Sequence, residues 1–174
     1  MMNTKLIVTA NLVIGSDGAT SKNGSSLGLS SSNDRARFHE IRSQSDAILI
    51  GGATARREPY KKTPVPLFIV THSQIRLQPK NPLAKQLNMD PITALNEIEK
   101  FFADISKVKL LVEAGPKLLQ VLLENKKIDR FYLTINQSIE GENRINTDKL
   151  LNGFNLIKKE EIGSDQFCLY ELAN

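Results

Sequence analysis

Residues 46–52, D-A-I-L-I-G-G, decide the fold of this chain. A short continuous apolar run that is closed by two glycines predicts a strand buried on both faces of a parallel sheet, followed at once by a turn. Outward from this stretch, Lys5–Ile14 (K-L-I-V-T-A-N-L-V-I) and Leu67–Thr71 predict two more strands, because both are rich in β-branched and apolar residues.

Helical patterns separate these strands. Ser31 or Ser32 caps a helix that ends at Ser43, with Asp34 in its first turn. Farther along, the two patterns continue to alternate: a helix over Pro91–Ile105 capped by Asp90, a strand over Lys109–Val112, a helix opened by Gly115-Pro116, and a strand over Arg130–Asn136.

The C-terminus has a different pattern. Phe154–Ile162 and Gln166–Leu172 flank Gly163-Ser164-Asp165, which predicts a hairpin with a three-residue turn. Together the elements predict a single α/β domain over residues 1–174. It has a mainly parallel central sheet with helices on both faces, and the antiparallel C-terminal hairpin lies at one edge.

Composition excludes several classes of function. The 174 residues carry 23 basic and 19 acidic side chains, a net charge of +4 without a dense basic run. Aromatic residues make up only 6%, so nucleic acid is not an expected partner. No apolar run approaches the roughly 18–20 residues of a membrane span. Cys168 is the only cysteine, which favours a cytoplasmic protein and, with two histidines, excludes a zinc cage of Cys and His ligands.

Ligands of open α/β sheets bind beyond the carboxyl ends of the strands, which directs attention to the segments after Ile14, Ile50 and Val112. Asp17-Gly18 offers an acid in a turn with a left-handed residue, or simply a turn. Gly51-Gly52 lets a ligand approach the backbone closely, or makes a tight strand-to-helix connection.

The third segment is Glu113-Ala114-Gly115-Pro116. Its glycine, at a helix N-terminus, suits a pyrophosphate, and Glu113 either accepts hydrogen bonds from a sugar hydroxyl or caps the helix. Arg42, at the end of its own helix, complements the helix dipole or binds a phosphate. A further basic group either holds a nucleotide 2′-phosphate or forms a solvated cluster: Arg56, Arg57, Lys61 and Lys62.

No catalytic triad, carboxylate dyad or metal motif is present, which favours chemistry carried out by a cofactor. Six motifs occur in order: N-L-V-I-G-S-D-G (11–18), G-S-S-L-G-L-S-S (24–31), R-S-Q-S-D-A-I-L-I-G-G-A-T (42–54), E-P (58–59), L-V-E-A-G-P-K-L-L (111–119) and I-D-R-F-Y-L-T-I (128–135). With them the chain resembles the reductase domain of riboflavin biosynthesis, the C-terminal half of the bifunctional bacterial deaminase–reductase, which has a dihydrofolate-reductase-like fold.

The resemblance implies an NADPH-dependent oxidoreductase of the 5-amino-6-(5-phosphoribosylamino)uracil reductase type. Such an enzyme reduces a phosphoribosylamino-pyrimidine to its ribitylamino form by hydride transfer to the sugar C1, and the family forms homodimers. By position, the substrate contacts are Asn11, Ser26, Arg42 at the phosphate, and Glu113. The cofactor contacts, with those from the strand-end loops, are Ile14, Asp17, Gly28, Gly51, Gly52, Thr54, Gly115, Pro116, Lys117, Leu118 and Leu119.

Departures from the family pattern leave other substrates open. The usual S-x-D-G becomes Gly15-Ser16-Asp17-Gly18, D-D-P becomes Arg57-Glu58-Pro59, and E-G-G becomes Glu113-Ala114-Gly115. The loop after Pro59 is lysine-rich where the family has a basic phosphate contact, so that contact is not assigned to one residue. One alternative is a dihydrofolate-reductase-like enzyme for another pyrimidine or a pterin. Such sites offer an acid on the helix after the first long loop, where this chain has only Asp34 and Glu40. The other alternative is a non-catalytic nucleotide-binding dimer.

Overall fold

The computed structural model describes residues 4–113 and 115–174, which form one large sheet, a two-stranded ribbon and five α-helices. In chain order the elements are β1 (Lys5–Gly15), β2 (Ala19–Ser21), a 3-10 turn (Ser26–Gly28), α1 (Ser32–Ser43), β3 (Ala47–Gly51), α2 (Gly52–Arg57), β4 (Leu67–Val70), β5 (Ala84–Leu87), α3 (Pro91–Phe101), β6 (Lys107–Val112), α4 (Pro116–Glu124), β7 (Arg130–Asn136), β8 (Glu142–Arg144), α5 (Thr147–Leu150), β9 (Phe154–Ile162) and β10 (Asp165–Leu172).

The large sheet has eight strands in the order β5-β4-β3-β6-β1-β7-β10-β9. The pairings from β5 through to β7 are all parallel, so the carboxyl ends of these strands share one edge of the sheet. β10 pairs antiparallel with β7, and β9 pairs antiparallel with β10. The predicted fold class is therefore confirmed: a mainly parallel sheet with an antiparallel hairpin at one edge.

β3 shows why the sheet is covered on both faces. Ala47 and Leu49 pack into one apolar cluster, while Ile48 and Ile50 pack into another on the opposite face. Side chains alternate between the faces of a strand, so an apolar run without polar interruptions needs apolar partners on both sides. The first cluster includes residues of α3 and α4, and the second is completed by Ile41 of α1 and by the segment that follows β3.

The first residues of α1, α3 and α4 agree with the capping residues that the sequence predicts. Ser31 caps α1 by accepting a hydrogen bond from the backbone N–H of Asp34, and Asp90 caps α3 through Ile92 and Thr93. Pro116 occupies the first turn of α4, with Gly115 as its N-cap residue. The first residues of each helix can thus be assigned from side chains that satisfy otherwise unpaired N–H groups.

The C-terminal hairpin differs from the prediction in its turn. Ile162 pairs with Asp165, so Gly163 and Ser164 alone form the connection, and Asp165 belongs to β10. Gly163 has a φ of 61°, which glycine adopts without strain and which two-residue hairpin turns require. The prediction of a three-residue turn was wrong.

Four short elements had no sequence prediction: β2, β8, α5 and β5. β2 and β8 pair with each other as a separate antiparallel ribbon, joining segments more than a hundred residues apart. Such three-residue strands carry no periodic pattern of their own, because distant contacts hold them in place. Within the described ranges, no helix combines the length and the apolar character that crossing a membrane would need.

Candidate active site

A cavity of about 1040 Å³ opens at the carboxyl edge of the parallel strands. Its floor includes Asn11–Val13 of β1, and its walls come from the segments that follow β3, β4 and β6. Residues of α1 line another side, and the β2–β8 ribbon contributes to the wall through Thr20, Ser21 and Asn143. This is the edge where open α/β sheets place their ligands.

Glycines shape the wall where β3 and β6 end. A Cβ atom on Gly115 would meet nothing closer than Oγ1 of Thr54, at 3.9 Å, so the space beside this backbone is open. A Cβ on Gly52 would instead lie 2.5 Å from Oγ1 of Thr71, which makes glycine necessary for packing β3 against β4. The space beside Gly51 is intermediate, because a Cβ atom there would lie 3.6 Å from a side-chain atom of Leu118. Gly115, before the nine-residue helix α4, is therefore the glycine that leaves room for a ligand.

The segment after β4 adds polar groups to the same end of the cavity. Thr71, His72 and Ser73 line it directly beyond the strand. Arg56 and Arg57 of α2 also line it, whereas Lys61 and Lys62 are exposed and do not. This end of the cavity therefore carries arginine and hydroxyl side chains, a combination that suits phosphate.

The loop over residues 22–26 lies at another part of the cavity, and the carboxylates of Glu58 and Glu142 hold it in place. Asn23 and Gly24, both at positive φ, form a tight turn between Lys22 and Ser25. Glu142 of β8 accepts hydrogen bonds from the backbone N–H groups of both turn residues. Glu58 accepts hydrogen bonds from the hydroxyl groups of Ser25 and Ser26 and from the Ser26 N–H, at 3.0–3.2 Å. The loop is thus anchored at both ends, and Ser26 lines the cavity.

A buried ion pair lies where β6 ends. Arg42 donates from Nε to Oε1 of Glu113 at 2.8 Å and from Nη2 to Oε2 at 2.7 Å. Only 3% of the Glu113 side chain and 18% of the Arg42 side chain is exposed. Burial alone would lower the pKa of the guanidinium, but the hydrogen bonds and charge of Glu113 outweigh it and raise that pKa. Each charge of the buried pair thus has its partner.

Tyr60 completes this cluster. Its hydroxyl donates to Oε2 of Glu113 at 2.7 Å, and its ring lies 5.3 Å from the Arg42 guanidinium. The Phe38 ring also lies close to this guanidinium, at 4.6 Å. Burial raises the pKa of Tyr60 well above its usual value, and the negative charge of Glu113 adds to that rise.

Asp34 is a second buried acid on the cavity wall, in a different environment. It lies in the first turn of α1, is 6% exposed, and accepts a short hydrogen bond from the Ser30 hydroxyl. Over residues 4–113 and 115–174 no salt bridge reaches Asp34, in contrast to Glu113. Glu40, the other acid of α1, is exposed and does not line the cavity.

The structure brings most of the predicted site residues together around the cavity. Those that line it are Asn11, Ser26, Glu113, Gly51, Gly52, Thr54, Gly115, Pro116, Lys117 and Leu118. Five others do not line it: Arg42, Ile14, Asp17, Gly28 and Leu119. What any of them binds stays a prediction, and Ala114 lies outside the described residues.

The five residues that do not line the cavity contact other parts of the protein, as Arg42 does through Glu113. Ile14 and Leu119 belong to the apolar core, and Gly28 packs where a Cβ would come within 2.7 Å of the Lys22 carbonyl oxygen. Asp17 pairs with Arg144 of β8 at 2.7 Å. The turn after β1 therefore supports the β2–β8 ribbon. The residues of β1 that line the cavity, Asn11–Val13, lie within the strand itself.

Several wall residues were not predicted. Arg35, Phe38 and Tyr60 carry no motif, and nothing in their local sequence distinguishes them from ordinary helix and loop residues. One feature of the sequence points to Asp34 as a site residue: it lies in the first turn of the helix that follows a long loop. Glu58 stands in the E-P motif, although the sequence indicates no partner for it.

Residues 7–166 match the sequence profile of the family described as the RibD C-terminal domain. The match covers most of the chain. The chain belongs to this family. Comparison with curated protein sequences found no match.

Solved structures with the same fold include members of this family and a dihydrofolate reductase. The deaminase/5-amino-6-(5-phosphoribosylamino)uracil reductase of Thermotoga maritima superposes with a TM-score of 0.73 at 16% identity, covering 96% of this chain and 56% of that one. A pyrimidine reductase-like protein of Corynebacterium diphtheriae gives 0.73 at 15% identity, covering 97% and 92%.

Dihydrofolate reductase of Enterococcus faecalis, in a complex with NADP(H), gives a TM-score of 0.70 at 15% identity, with 97% of each chain covered. The fold of this RibD C-terminal-domain protein is therefore dihydrofolate-reductase-like, as its sequence predicted. The chain spans about 56% of the length of the Thermotoga enzyme.

Proposed function

We propose that this protein is an NADPH-dependent reductase that converts a 5-phosphoribosylamino-pyrimidine to its ribitylamino form. One observation carries the proposal: a single cavity joins a glycine-lined, positively charged end to an end that has two buried acids. Its volume, about 1040 Å³, lies at the upper limit of single-ligand pockets, which run from roughly 300 to 1,000 Å³. The volume supports simultaneous binding of a dinucleotide and a second ligand.

The residues present fit a dinucleotide at the first end. The open space beside Gly115 and the N-terminus of α4 suit a pyrophosphate, while Arg56 and the Thr71–Ser73 segment suit the phosphate that distinguishes NADPH from NADH. When bound, the nicotinamide supplies a hydride. Hydride transfer asks the protein for close positioning more than for acid–base groups, which agrees with the absence of a nucleophile motif.

The second end fits the sugar and its amino link. Asn11, Ser26 and Glu113 line it, and Glu113, paired with Arg42, accepts hydrogen bonds from sugar hydroxyl groups. Arg42 has two nitrogens engaged by Glu113, so we assign the substrate phosphate to Arg35, the exposed arginine of α1 that lines the cavity.

Reduction of the ring-opened imine adds a hydride to C1 and a proton to the nitrogen. Asp34 is placed to deliver that proton, because it is buried on the cavity wall and no salt bridge engages it among the described residues. Glu113, which accepts two hydrogen bonds from Arg42, serves as the hydrogen-bond acceptor. The two acids thus divide the binding and proton-transfer roles.

A second candidate function is the reduction of a pterin. Asp34 favours it, since an acid on the helix after the first long loop, facing the ligand, is what a dihydrofolate site offers. The same assay separates the two functions. Turnover of dihydrofolate without turnover of the phosphoribosylamino-pyrimidine would select the second.

We also propose a homodimer. β9 is the last strand of the sheet, and Leu156 and Ile157 on it are about half exposed. An edge strand with exposed apolar side chains is a suitable surface for a second copy. Sedimentation equilibrium at several protein concentrations measures the mass, and a monomer at all of them would contradict this part of the proposal.

The function is tested by NADPH oxidation with 5-amino-6-(5-phosphoribosylamino)uracil, together with the pair Gly115→Ala and Gly115→Val. Both variants have room to fold, because a Cβ at this position meets no close neighbour and φ is −69°. Both are expected to weaken NADPH binding, valine more than alanine, because the side chain fills the space that the pyrophosphate needs. Unchanged affinity in folded variants, or wild-type binding of NADPH without turnover of any pyrimidine or pterin, would contradict the proposed enzyme.

A further inference from the structure

Tyr60 is fixed in position by contacts that its own segment does not provide. Its backbone N–H donates to Oε1 of Gln78 at 3.1 Å, and its carbonyl accepts from Nδ2 of Asn81 at 2.9 Å. Gln78 also donates to the carbonyls of Ala55 and Glu58, at 2.7 and 2.9 Å. Two amide side chains from the loop between β4 and β5 therefore hold the backbone on both sides of this tyrosine.

Because its backbone is held, the Tyr60 side chain has a defined target. Its hydroxyl reaches Oε2 of Glu113, and its ring centre lies 5.3 Å from the Arg42 guanidinium carbon. Oε2 of Glu113 thus receives two donors, whereas Oε1 receives only the Nε of Arg42. The oxygen that keeps acceptor capacity for a ligand is Oε1.

We propose that Tyr60 is a positioning residue for the reductase. Its hydroxyl engages Oε2 of Glu113, so that Oε1 is the oxygen presented to a hydroxyl group of the substrate sugar. The assignment of a sugar to this end of the cavity rests on the proposed function, while the arrangement of Tyr60, Arg42 and Glu113 does not. Tyr60 lies 53 residues from Glu113 in the chain and carries no motif.

The position of Tyr60 also limits what Glu113 can do. Glu113 already accepts three hydrogen bonds, two of them from one guanidinium, so its role is that of an acceptor. It therefore binds groups that donate hydrogen bonds, and a substrate that lacks the matching hydroxyl leaves Oε1 without a ligand donor. The wall at the end of β6 is accordingly selective for a hydroxylated sugar over its deoxy analogue.

Tyr60→Phe separates the hydroxyl from the ring, since phenylalanine keeps the aromatic face beside Arg42. Relative to the wild type, we expect the substrate KM to rise about tenfold, with kcat and the NADPH Kd changed less than twofold. The preference for hydroxylated over deoxy sugar should fall in parallel. Tyr132→Phe is the matched control, because Tyr132 faces Arg37 and does not line the cavity.

A readout that needs no turnover is the ¹³C chemical shift of the Glu113 carboxylate at fixed pH, measured in glutamate-labelled protein and assigned with Glu113→Gln. The groups that donate hydrogen bonds to this carboxylate are Arg42 from α1 and Tyr60 after α2. Loss of the Tyr60 hydroxyl removes one of these donors, so the signal should move in Tyr60→Phe and stay unchanged in Tyr132→Phe.

An unchanged Glu113 signal together with an unchanged KM in Tyr60→Phe would overturn the positioning role. A moved signal in a protein that turns over no pyrimidine would support the positioning of Glu113 and contradict only the proposed substrate. A moved signal with a raised KM supports both.

Discussion

Two arginines of one helix show how tertiary contacts assign roles to similar residues. Arg35 is exposed at the cavity, and its one side-chain hydrogen bond in the described structure is a long one, 3.3 Å, to the Ser30 carbonyl. Arg42, two turns later, donates two hydrogen bonds to Glu113 and lies near two aromatic rings. The first is free to meet a ligand, and the second neutralises a buried charge.

This difference predicts opposite effects of the two alanine variants. Arg42→Ala leaves Glu113 buried without its cation, so the free energy of unfolding should fall by about 3 kcal/mol or more. Arg35→Ala should change it by less than about 0.5 kcal/mol, since the side chain is exposed. The substrate KM should nevertheless rise about tenfold in Arg35→Ala. Urea denaturation and steady-state kinetics measure the two quantities, and a stable Arg42→Ala protein would contradict the buried-pair interpretation.

Tyr60 makes stability depend on pH in the alkaline range. Its pKa in the folded protein is raised, first by burial and then by the Glu113 charge, above the value of about 10 that it has when unfolded. Between these two values the unfolded chain releases the proton and the folded protein keeps it, so stability falls as pH rises above about 10. The contribution is fully present below that pH.

Tyr60→Phe should therefore lose less stability than the wild type between pH 9 and pH 11, a range chosen to span roughly the unfolded value of about 10. Guanidinium denaturation at several pH values measures the difference. Tyr170, whose pKa burial also raises, is present in both proteins and cancels in the comparison. Parallel pH curves for the two proteins would show that the Tyr60 hydroxyl is not buried as described.

At the scale of elements, Ser31 connects α1 to the C-terminal hairpin. Its oxygen accepts from the Asp34 N–H as the helix cap, and its hydroxyl donates to Oδ2 of Asp165 at the start of β10. Asp165 is 1% exposed, and its other oxygen has no hydrogen-bond partner in the part of the chain that the structure describes. One serine therefore satisfies both a helix N-terminus and a buried carboxylate.

Ser31→Ala removes both interactions and should lower the free energy of unfolding by about 1–3 kcal/mol. Ser32→Ala is the matched control, because Ser32 is exposed at the first position of α1 and should change stability by only a few tenths of a kcal/mol. Chemical denaturation compares them. Equal losses in the two variants would contradict the assigned cap.

At the scale of the whole molecule, the reactivity of the Cys168 thiol measures how often the strands around β10 separate. It lies on β10, is 2% exposed, and burial raises the pKa of its thiol. Both effects oppose reaction with a thiol reagent in the folded state. Labelling therefore requires opening of the sheet around β10.

We expect labelling of Cys168 by an aromatic disulfide reagent to be slow in native buffer and rapid in denaturant. If opening is global and NADPH binds the folded state alone, as the proposed function implies, NADPH at about 100 times its Kd should slow labelling by roughly a hundredfold. Absorbance of the released thiolate measures the rate. Rapid labelling in native buffer would contradict the burial of Cys168.

Much of this protein follows from the local sequence. The run Ala47–Ile50 specifies a doubly buried strand, Asp90-Pro91 and Gly115-Pro116 specify helix starts, and the alternation of patterns specifies a parallel sheet. Each depends on periodicity or on hydrogen bonds between near neighbours, which the order of residues determines directly. The edge of the sheet where ligands bind follows from the same alternation.

Only the tertiary structure decided the chemistry of the cavity wall. Arg42 and Glu113 are 71 residues apart, and the β2–β8 ribbon joins segments farther apart still. Whether an arginine meets a carboxylate or a ligand, and whether Asp34 is buried without a cation, depends on which distant groups the fold brings alongside. Electrostatic and packing energies depend on distance in space, and local sequence constrains that distance only within an element.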